Sequence, residues 1–206
     1  MSNEVSAAPI PATAALPTGW TQTVIGTCSA PGSAAYADIN NQTFTVTGSG
    51  SGIGLDSETG DGLSFVYTKA SGDFIFTARR IASKSVGGSH QRMGLMVRQS
   101  LDPSARALAM ISGDLGGREG RFGARAADAS RINWQYGNGY TNYITWMRIK
   151  RTADNITRDQ SVDGITWYIA GTPVKVPMTG DIYVGLAVSS NSHKVNTASF
   201  DNVLIR

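Results

Sequence analysis

Apolar and polar residues alternate along short segments of this chain, and small or polar turn residues separate the segments. Phe74, Phe76 and Ala78 fall on one side of the chain, and Thr77 and Arg79 fall on the other. A period of two is the pattern of a β-strand with one apolar face, and repeated strands of this kind predict antiparallel sheets that are each packed on one side. The segments that predict strands are 20–27, 43–47, 63–68, 74–81, 93–99, 105–112, 120–126, 131–135, 144–151, 155–160, 166–169, 182–188 and 197–205.

The connections between these segments carry turn signals rather than helical patterns. Asp163-Gly164 supplies the two positive-φ residues of a type I′ turn and predicts a tight hairpin, with Trp167 covering an edge of the sandwich. The sequence Asp-Pro-Ser at 102–104 predicts a turn or the start of a small helix. Because no helical pattern lies between the strands, we predict a sandwich or a barrel.

The first 18 residues differ from the rest of the chain, because Ala and Pro dominate them and no period of 2 or 3.6 is present. Pro9, Pro11 and Pro17 remove backbone donors and favour extended conformations. We therefore divide the chain into an extended N-terminal arm, residues 1–18, and one sandwich domain, residues 19–206. A chain of 206 residues fits a single sandwich.

The composition agrees with an all-β fold and excludes several kinds of site. The chain contains 24 Gly but only three Glu (Glu4, Glu58 and Glu119), so good helix formers are scarce. The formal net charge is +3, but the basic residues are scattered, whereas nucleic-acid binding needs them clustered. Cys28 is the single cysteine, which excludes an intrachain disulfide and a cysteine-based metal site.

Several segments occur in a recognisable order along the chain. They are SGDFIFTARR (71–80), RMGLMVRQSLDPSARALAM (92–110), WMRIKRTADNITRDQSVDGITW (146–167), IYVGLAVSSNS (182–192) and ASFDNVLI (198–205). Their order resembles the concanavalin A-like jelly-roll modules of the DUF1349 and LamG-like group, over nearly all of the chain outside the arm. The resemblance implies an all-β, two-sheet antiparallel jelly-roll sandwich. The group is not tied to one activity, so it implies a carbohydrate-binding or adhesive role only loosely.

No catalytic constellation is evident in the sequence. Glycoside hydrolysis needs two carboxylates about 5–9 Å apart, typically on one face of a strand. No such pair surrounds Glu119, and Asp159 lies four residues from Asp163, which belongs to the predicted turn. His90 and His193 lie in polar segments without a second ligand residue at zinc spacing. We therefore expect that the protein is not an enzyme.

One acidic segment is a candidate metal site. Asp56, Glu58 and Asp61 lie in DSETGDG, where carboxylate and carbonyl oxygens suit a calcium ion. The alternative interpretation is a set of ordinary turn carboxylates. Apart from Ca²⁺ at these residues, no cofactor is expected.

The segment INWQYGNGYTNY (132–143) interleaves aromatic residues with Gln, Asn and Gly. Aromatic faces stack on the C–H surfaces of sugars, and side-chain amides bind hydroxyl groups, so the segment is a candidate ligand site whose aromatic residues should be substantially exposed. The alternative is a hairpin with cross-strand aromatic pairs that only stabilise the turn. The predicted ligand-binding residues are Trp134, Tyr136, Tyr140, Tyr143 and Arg121.

Two functions follow from these patterns. The first is a non-catalytic, lectin-like module that contacts a glycan or a cell-surface polymer. The second is a structural surface protein of a larger assembly, such as a phage capsid decoration or tail protein, which residues 1–17 anchor to neighbouring subunits. The sequence as given shows no signal peptide and no membrane span. We expect an extracellular location or a position on a virion surface, with no nucleic-acid or membrane partner.

Overall fold

Strands form all of the regular structure in the described residues. The structure is a computed structural model, and it describes residues 15–37, 42–54, 60–84, 92–112, 120–136 and 145–206. The strands are β1 (Thr21–Ile25), β2 (Ser33–Ala37), β3 (Thr43–Gly50), β4 (Leu63–Ala70), β5 (Phe74–Lys84), β6 (Arg92–Arg98), β7 (Ala107–Ser112), β8 (Gly120–Arg125), β9 (Asn133–Tyr136), β10 (Trp146–Thr152), β11 (Asn155–Ser161), β12 (Tyr168–Ile169), β13 (Val174–Lys175), β14 (Ile182–Ser189) and β15 (Ser192–Ile205).

The strands pair antiparallel in two sheets. The first sheet has seven strands in the order β1-β4-β14-β6-β7-β8-β9, and the second has the order β12-β11-β10-β5-β15-β3-β2, with β13 paired to β11. The predicted all-β sandwich of two antiparallel sheets is confirmed. Strands β2 and β13 were not predicted, because the small residues of SAAYA and the dipeptide of β13 show little alternation and become strands only by pairing with β3 and β11.

The main hydrophobic core lies between the two sheets. Along β5, Phe74, Phe76 and Ala78 are buried, while Thr77 and Arg79 remain partly exposed, which confirms the alternation predicted for this strand. Strand β10 alternates in the same way. One face of each sheet therefore supplies the core, as period-two strands require.

The seven-stranded sheet is buried on both of its faces. A second hydrophobic cluster joins Phe65, Met96 and Ala109 of the strands to Ile53 and Ile132 of connecting segments, on the face that points away from the other sheet. Every residue of β6 is buried as a result. The expectation that each sheet packs on one side is wrong for this sheet, because connections fold over its outer face.

The last residues of the predicted arm contact the sandwich. Leu16 packs against the core between the sheets, and the N–H of Trp20 donates to the carbonyl of Pro17 at 2.9 Å. Residues 1–14 lie outside the described residues. No helix in the described parts of the chain is long and apolar enough to cross a membrane.

The connection between β11 and β12 is longer than a two-residue hairpin. Asp159 pairs with Ile169 and Gln160 pairs with Tyr168, so the residues between Gln160 and Tyr168 form a loop. Gly164 has a φ of +77°, but Asp163 does not share the positive φ that a type I′ turn requires in both residues. The predicted type I′ turn is therefore wrong. The segment 102–104 forms a turn and not a helix.

Candidate functional site

Asp61 lies in a buried cluster with two arginines. Its carboxylate accepts hydrogen bonds from Arg98 at 3.1 Å and from Arg125 at 2.8 and 3.0 Å, and the N–H of Gly54 donates to it at 3.0 Å. The side chains of Asp61 and both arginines are 0% exposed. The carboxylate of Asp61 is therefore the counter-ion of the two guanidinium groups. Because their positive charges repel a cation and the carboxylate is fully buried, Asp61 is not available to a calcium ion.

The other residues of the predicted calcium site, Asp56 and Glu58, lie outside the described residues. Within the described segments, no three His, Cys, Asp or Glu side chains come together as possible metal ligands. Calcium binding by the DSETGDG segment stays a prediction from the sequence.

Trp134 is partly buried rather than substantially exposed. Its indole N–H donates to the carbonyl of Gly54 at 2.8 Å, and the guanidinium of Arg92 lies 4.4 Å from the ring centroid. The ring lies on Gly123 of β8, where a Cβ would be 2.6 Å from Cε3 of Trp134. Trp134 therefore helps to hold the segment at Gly54 on the outer face of the seven-stranded sheet.

Two other predicted ligand residues meet across the edge of that sheet. Arg121 on β8 pairs with Tyr136 on β9, and the side chain of Arg121 is partly buried. Tyr140 and Tyr143 lie outside the described residues. The structure therefore brings Arg121, Tyr136 and Trp134 to neighbouring positions on β8 and β9.

A cleft lies where β10 begins, directly after the aromatic segment in sequence. It encloses about 460 Å³ at the end of the second sheet. We call it the Trp146 cleft. Its lining residues are Arg79, Arg80, Ile81, Thr145, Trp146, Val162 and Asp163.

Charged side chains surround the Trp146 cleft on the outer face of the second sheet. Arg79 donates through Nε to Asp201 at 2.8 Å, and its guanidinium lies 5.3 Å from the ring centroid of Trp146. Arg148 donates to Asp159 at 2.8 Å. Alternation along β10 places Trp146 and Arg148 on one face, but local periodicity could not bring Arg79 and Asp201 to them, because strand order is not local information.

A second cleft of about 530 Å³ is lined largely by small polar residues. Its lining residues are Thr27, Ser29, Gly50, Ser51, Asn191, Ser192 and His193. Since the described lining of this second cleft includes no Trp, Tyr or Phe side chain, the Trp146 cleft is better suited to a ligand with an apolar ring face.

Asp163 organises the loop that forms one wall of the Trp146 cleft. Its Oδ1 accepts hydrogen bonds from the N–H groups of Ile165 and Thr166 and from the hydroxyl of Ser161, each at 2.8 Å. These bonds, the one from Ile165 first, lower the pKa of Asp163 to about 2. Gly164 lies so close to the cleft that a Cβ there would be 2.7 Å from Cε2 of Trp146.

The depressed pKa of Asp163 predicts a pH dependence of stability. The folded-state pKa of about 2 lies below the ordinary value of 3.8, so the stabilisation is present above about pH 4 and is lost as the pH falls towards 2. We expect the difference in melting temperature between the wild type and Asp163→Asn to shrink over that range. NMR titration should also show a higher Asp163 pKa in Ser161→Ala. A difference in melting temperature that stays constant from pH 6 to pH 2 would contradict this account.

The two sheets and their covering connections define a lectin-like jelly-roll sandwich, and solved structures share it. A functionally unknown protein from Saccharomyces cerevisiae superposes with a TM-score of 0.63 at 13% identity, covering 90% of this chain and 95% of that one. A lectin from Bauhinia forficata in complex with GalNAc gives 0.51 at 8% identity, covering 92% and 94%. The alginate lyase from Klebsiella pneumoniae gives 0.50 at 10% identity, covering 84% and 83%.

These similarities show the fold, and they confirm the concanavalin A-like jelly roll that the sequence resemblance implied. No protein-family model and no curated protein matches the sequence. The fold occurs in lectins and also in polysaccharide-active enzymes, so the fold alone does not separate binding from catalysis. The structures compared give no support to the alternative of a virion decoration protein.

Proposed function

We propose that the protein is a non-catalytic binding module that holds a carbohydrate in the Trp146 cleft. The observation that carries the proposal is the lining of this cleft, which combines an indole ring with guanidinium, carboxylate and hydroxyl groups in about 460 Å³. An aromatic ring packs against the C–H surface of a sugar, and the polar groups bind its hydroxyls. The volume falls within the range of about 300–1,000 Å³ that is usual for small-molecule sites.

The fold and the aromatic segment support the same proposal. The Bauhinia forficata lectin, which has the same sandwich, is in complex with GalNAc. Strands β8 and β9 belong to the seven-stranded sheet and the cleft belongs to the second sheet, so we propose the aromatic segment as a separate ligand surface, and we propose an extracellular location. The residues included from the sequence prediction are Trp134, Tyr136, Tyr140, Tyr143 and Arg121.

The proposal that the protein does not catalyse rests on the state of its buried carboxylates. Asp61, Asp159 and Asp201 each accept hydrogen bonds from arginine side chains. A carboxylate engaged in this way with an arginine is not placed to protonate a leaving group. All three glutamates lie outside the described residues. Hydrolysis of a β-glucan, a xylan or peptidoglycan that is lost on replacing one Asp or Glu would overturn this part of the proposal.

We expect Trp146→Ala to weaken carbohydrate binding by about 1–3 kcal/mol, as for an aromatic residue at the centre of an interface. A glycan array should first identify ligands of the wild type, and calorimetry should then compare the variants. Tyr168→Ala is the matched control, because Tyr168 is 52% exposed and does not line the cleft. Equal binding by Trp146→Ala and the wild type, or no glycan ligand at all, would remove the support for this site.

A further inference from the structure

The second cleft lies at the end of the sandwich where three connections pass from one sheet to the other. The β1–β2 connection contributes Thr27 and Ser29 to its lining, and the β3–β4 connection contributes Ser51. The turn from β14 to β15 contributes Asn191, and His193 follows at the start of β15. Each connection joins a strand of the seven-stranded sheet to a strand of the second sheet. The shape of the cleft therefore depends on how these three connections are held.

Three buried serines hold the connections in place, one serine for each. The hydroxyl of Ser49 accepts from the N–H of Ala30 at 3.0 Å and donates to the carbonyl of the same residue at 2.9 Å. Ser189 donates to the carbonyl of Gly62, just before β4, at 2.8 Å. At the β14–β15 turn, Ser190 donates to a carbonyl at 2.9 Å and accepts from an N–H at 3.2 Å. Buried hydroxyl groups used in this way fix the geometry of a cleft before any ligand arrives.

Gly50 keeps its part of the lining free of a side chain. It has a φ of +135°, and a Cβ there would lie 2.1 Å from the carbonyl oxygen of Gly62, so another residue does not fit. Directly after it, the N–H of Ser51 donates to the carbonyl of Thr27 at 3.1 Å, which joins two of the lining connections. A ligand can therefore come close to the backbone at Gly50.

Polar groups of the lining are available to a ligand. Four lining side chains make no hydrogen bond to any other residue that the structure describes: Thr27, Ser29, Ser51 and His193. Each hydroxyl group donates one hydrogen bond and accepts up to two, and a neutral imidazole donates one and accepts one. The described lining contains no Asp, Glu, Lys or Arg side chain. The cleft thus offers several groups that both donate and accept, without a carboxylate, an ammonium or a guanidinium group.

We infer that the second cleft is a further carbohydrate site, which binds a neutral sugar through its hydroxyl groups and without ring stacking. A sugar hydroxyl both donates and accepts, so it complements a serine or threonine hydroxyl, whereas an oxyanion only accepts and is held best by a cationic side chain. The volume of about 530 Å³ suits one or two sugar units. The site is additional to the Trp146 cleft, with which it shares no lining residue.

The probes are the methyl glycosides of glucose, galactose, mannose, fucose and N-acetylgalactosamine, each titrated into the full chain. NMR follows the imidazole signals of His193, which the variant His193→Ala assigns. At least one glycoside is expected to shift these signals saturably, with the same dissociation constant in the wild type and in Trp146→Ala, because the two clefts share no lining residue. The absence of a saturable shift with every glycoside overturns the inference. Saturable shifts with inorganic phosphate or sulfate alone overturn it as well, since they assign the cleft to an oxyanion.

Thr27→Ala and Ser51→Ala are each expected to weaken this binding by about threefold to tenfold, the effect of losing one neutral hydrogen bond. Thr21→Ala is the matched control for Thr27→Ala. Both threonines are exposed, and neither hydroxyl is bonded to another described residue, but Thr21 lies on β1 outside the cleft. Because Thr27 is exposed, its replacement leaves the fold intact. Equal binding by Thr27→Ala and Thr21→Ala would contradict the assignment of the site.

The outcomes separate this site from the proposed function. Binding that survives in Trp146→Ala and weakens in Thr27→Ala supports the second cleft, even if the Trp146 cleft binds no sugar. Binding that Trp146→Ala removes and Thr27→Ala leaves unchanged supports the Trp146 cleft and overturns the second cleft.

Discussion

Replacing Asp61 by Asn is expected to lower the free energy of unfolding by about 3–5 kcal/mol, because it leaves two buried guanidinium groups without a counter-ion. Asn keeps the shape of the side chain and one acceptor oxygen, but it removes the negative charge that Arg98 and Arg125 share. Burial lowers the pKa of the Arg98 guanidinium. The charge of Arg125 lowers this pKa further, while Asp61 raises it. The Asp61→Asn variant keeps the burial and the repulsion from Arg125 that disfavour the charged Arg98, and it loses the attraction to Asp61 that favours it.

Urea denaturation at pH 7 measures this loss, and the chain offers a matched control. Asp128 also accepts hydrogen bonds from an arginine, Arg106, but their side chains are 57% and 30% exposed. Solvent screens such a pair, so Asp128→Asn should have a much smaller effect. If the two substitutions destabilise the protein equally, the cluster around Asp61 is not the buried ion network that the structure describes.

Replacing Phe76 by Ala is also expected to lower the free energy of unfolding by about 3–5 kcal/mol, because it opens a cavity between the sheets. Phe76 is 0% exposed and lies opposite Ile149 on β10 and Ile205 on β15. The neighbouring strands are held by their own backbone bonds, so they cannot collapse fully into the space.

Thr77→Ala provides the comparison for Phe76→Ala on the same strand. Thr77 lies on the outer face and is partly exposed, so its replacement should change stability by no more than about 0.5 kcal/mol. Thermal or urea unfolding of the two variants tests the alternation directly. A larger loss for Thr77→Ala than for Phe76→Ala would place the core on the wrong face of β5.

Most strands of the second sheet, though not β2 and β13, could be predicted because their signal is local. One face of β5 and β10 meets the core and the other meets solvent, so the period of two appears in the sequence. Strand β6 follows a different rule, since both of its faces are buried. The nearly unbroken apolar sequence MGLMV of β6 indicates burial on both faces, because strands buried in this way lose their alternation.

The candidate site could be predicted only in part. None of the described residues of the aromatic segment, 132–136, lines the Trp146 cleft, which needs Arg79 and Arg80 from β5 and Asp163 from the loop after β11. These elements are neighbours only because β10 pairs with both β5 and β11. Trp134 was expected to be exposed, yet the segment at Gly54 folds over it and accepts its indole N–H.

The sequence by itself determined an all-β sandwich, because the direction of successive side chains in a strand depends on neighbours one and two residues away. The tertiary structure alone decided which charges meet. The pair of Arg79 and Asp201 spans 122 residues, and Asp61 meets Arg125 across 64. Such contacts depend on strand order and on the path of connections over a sheet face. Neither is encoded in local periodicity, so these ion pairs become evident only once the strands are paired.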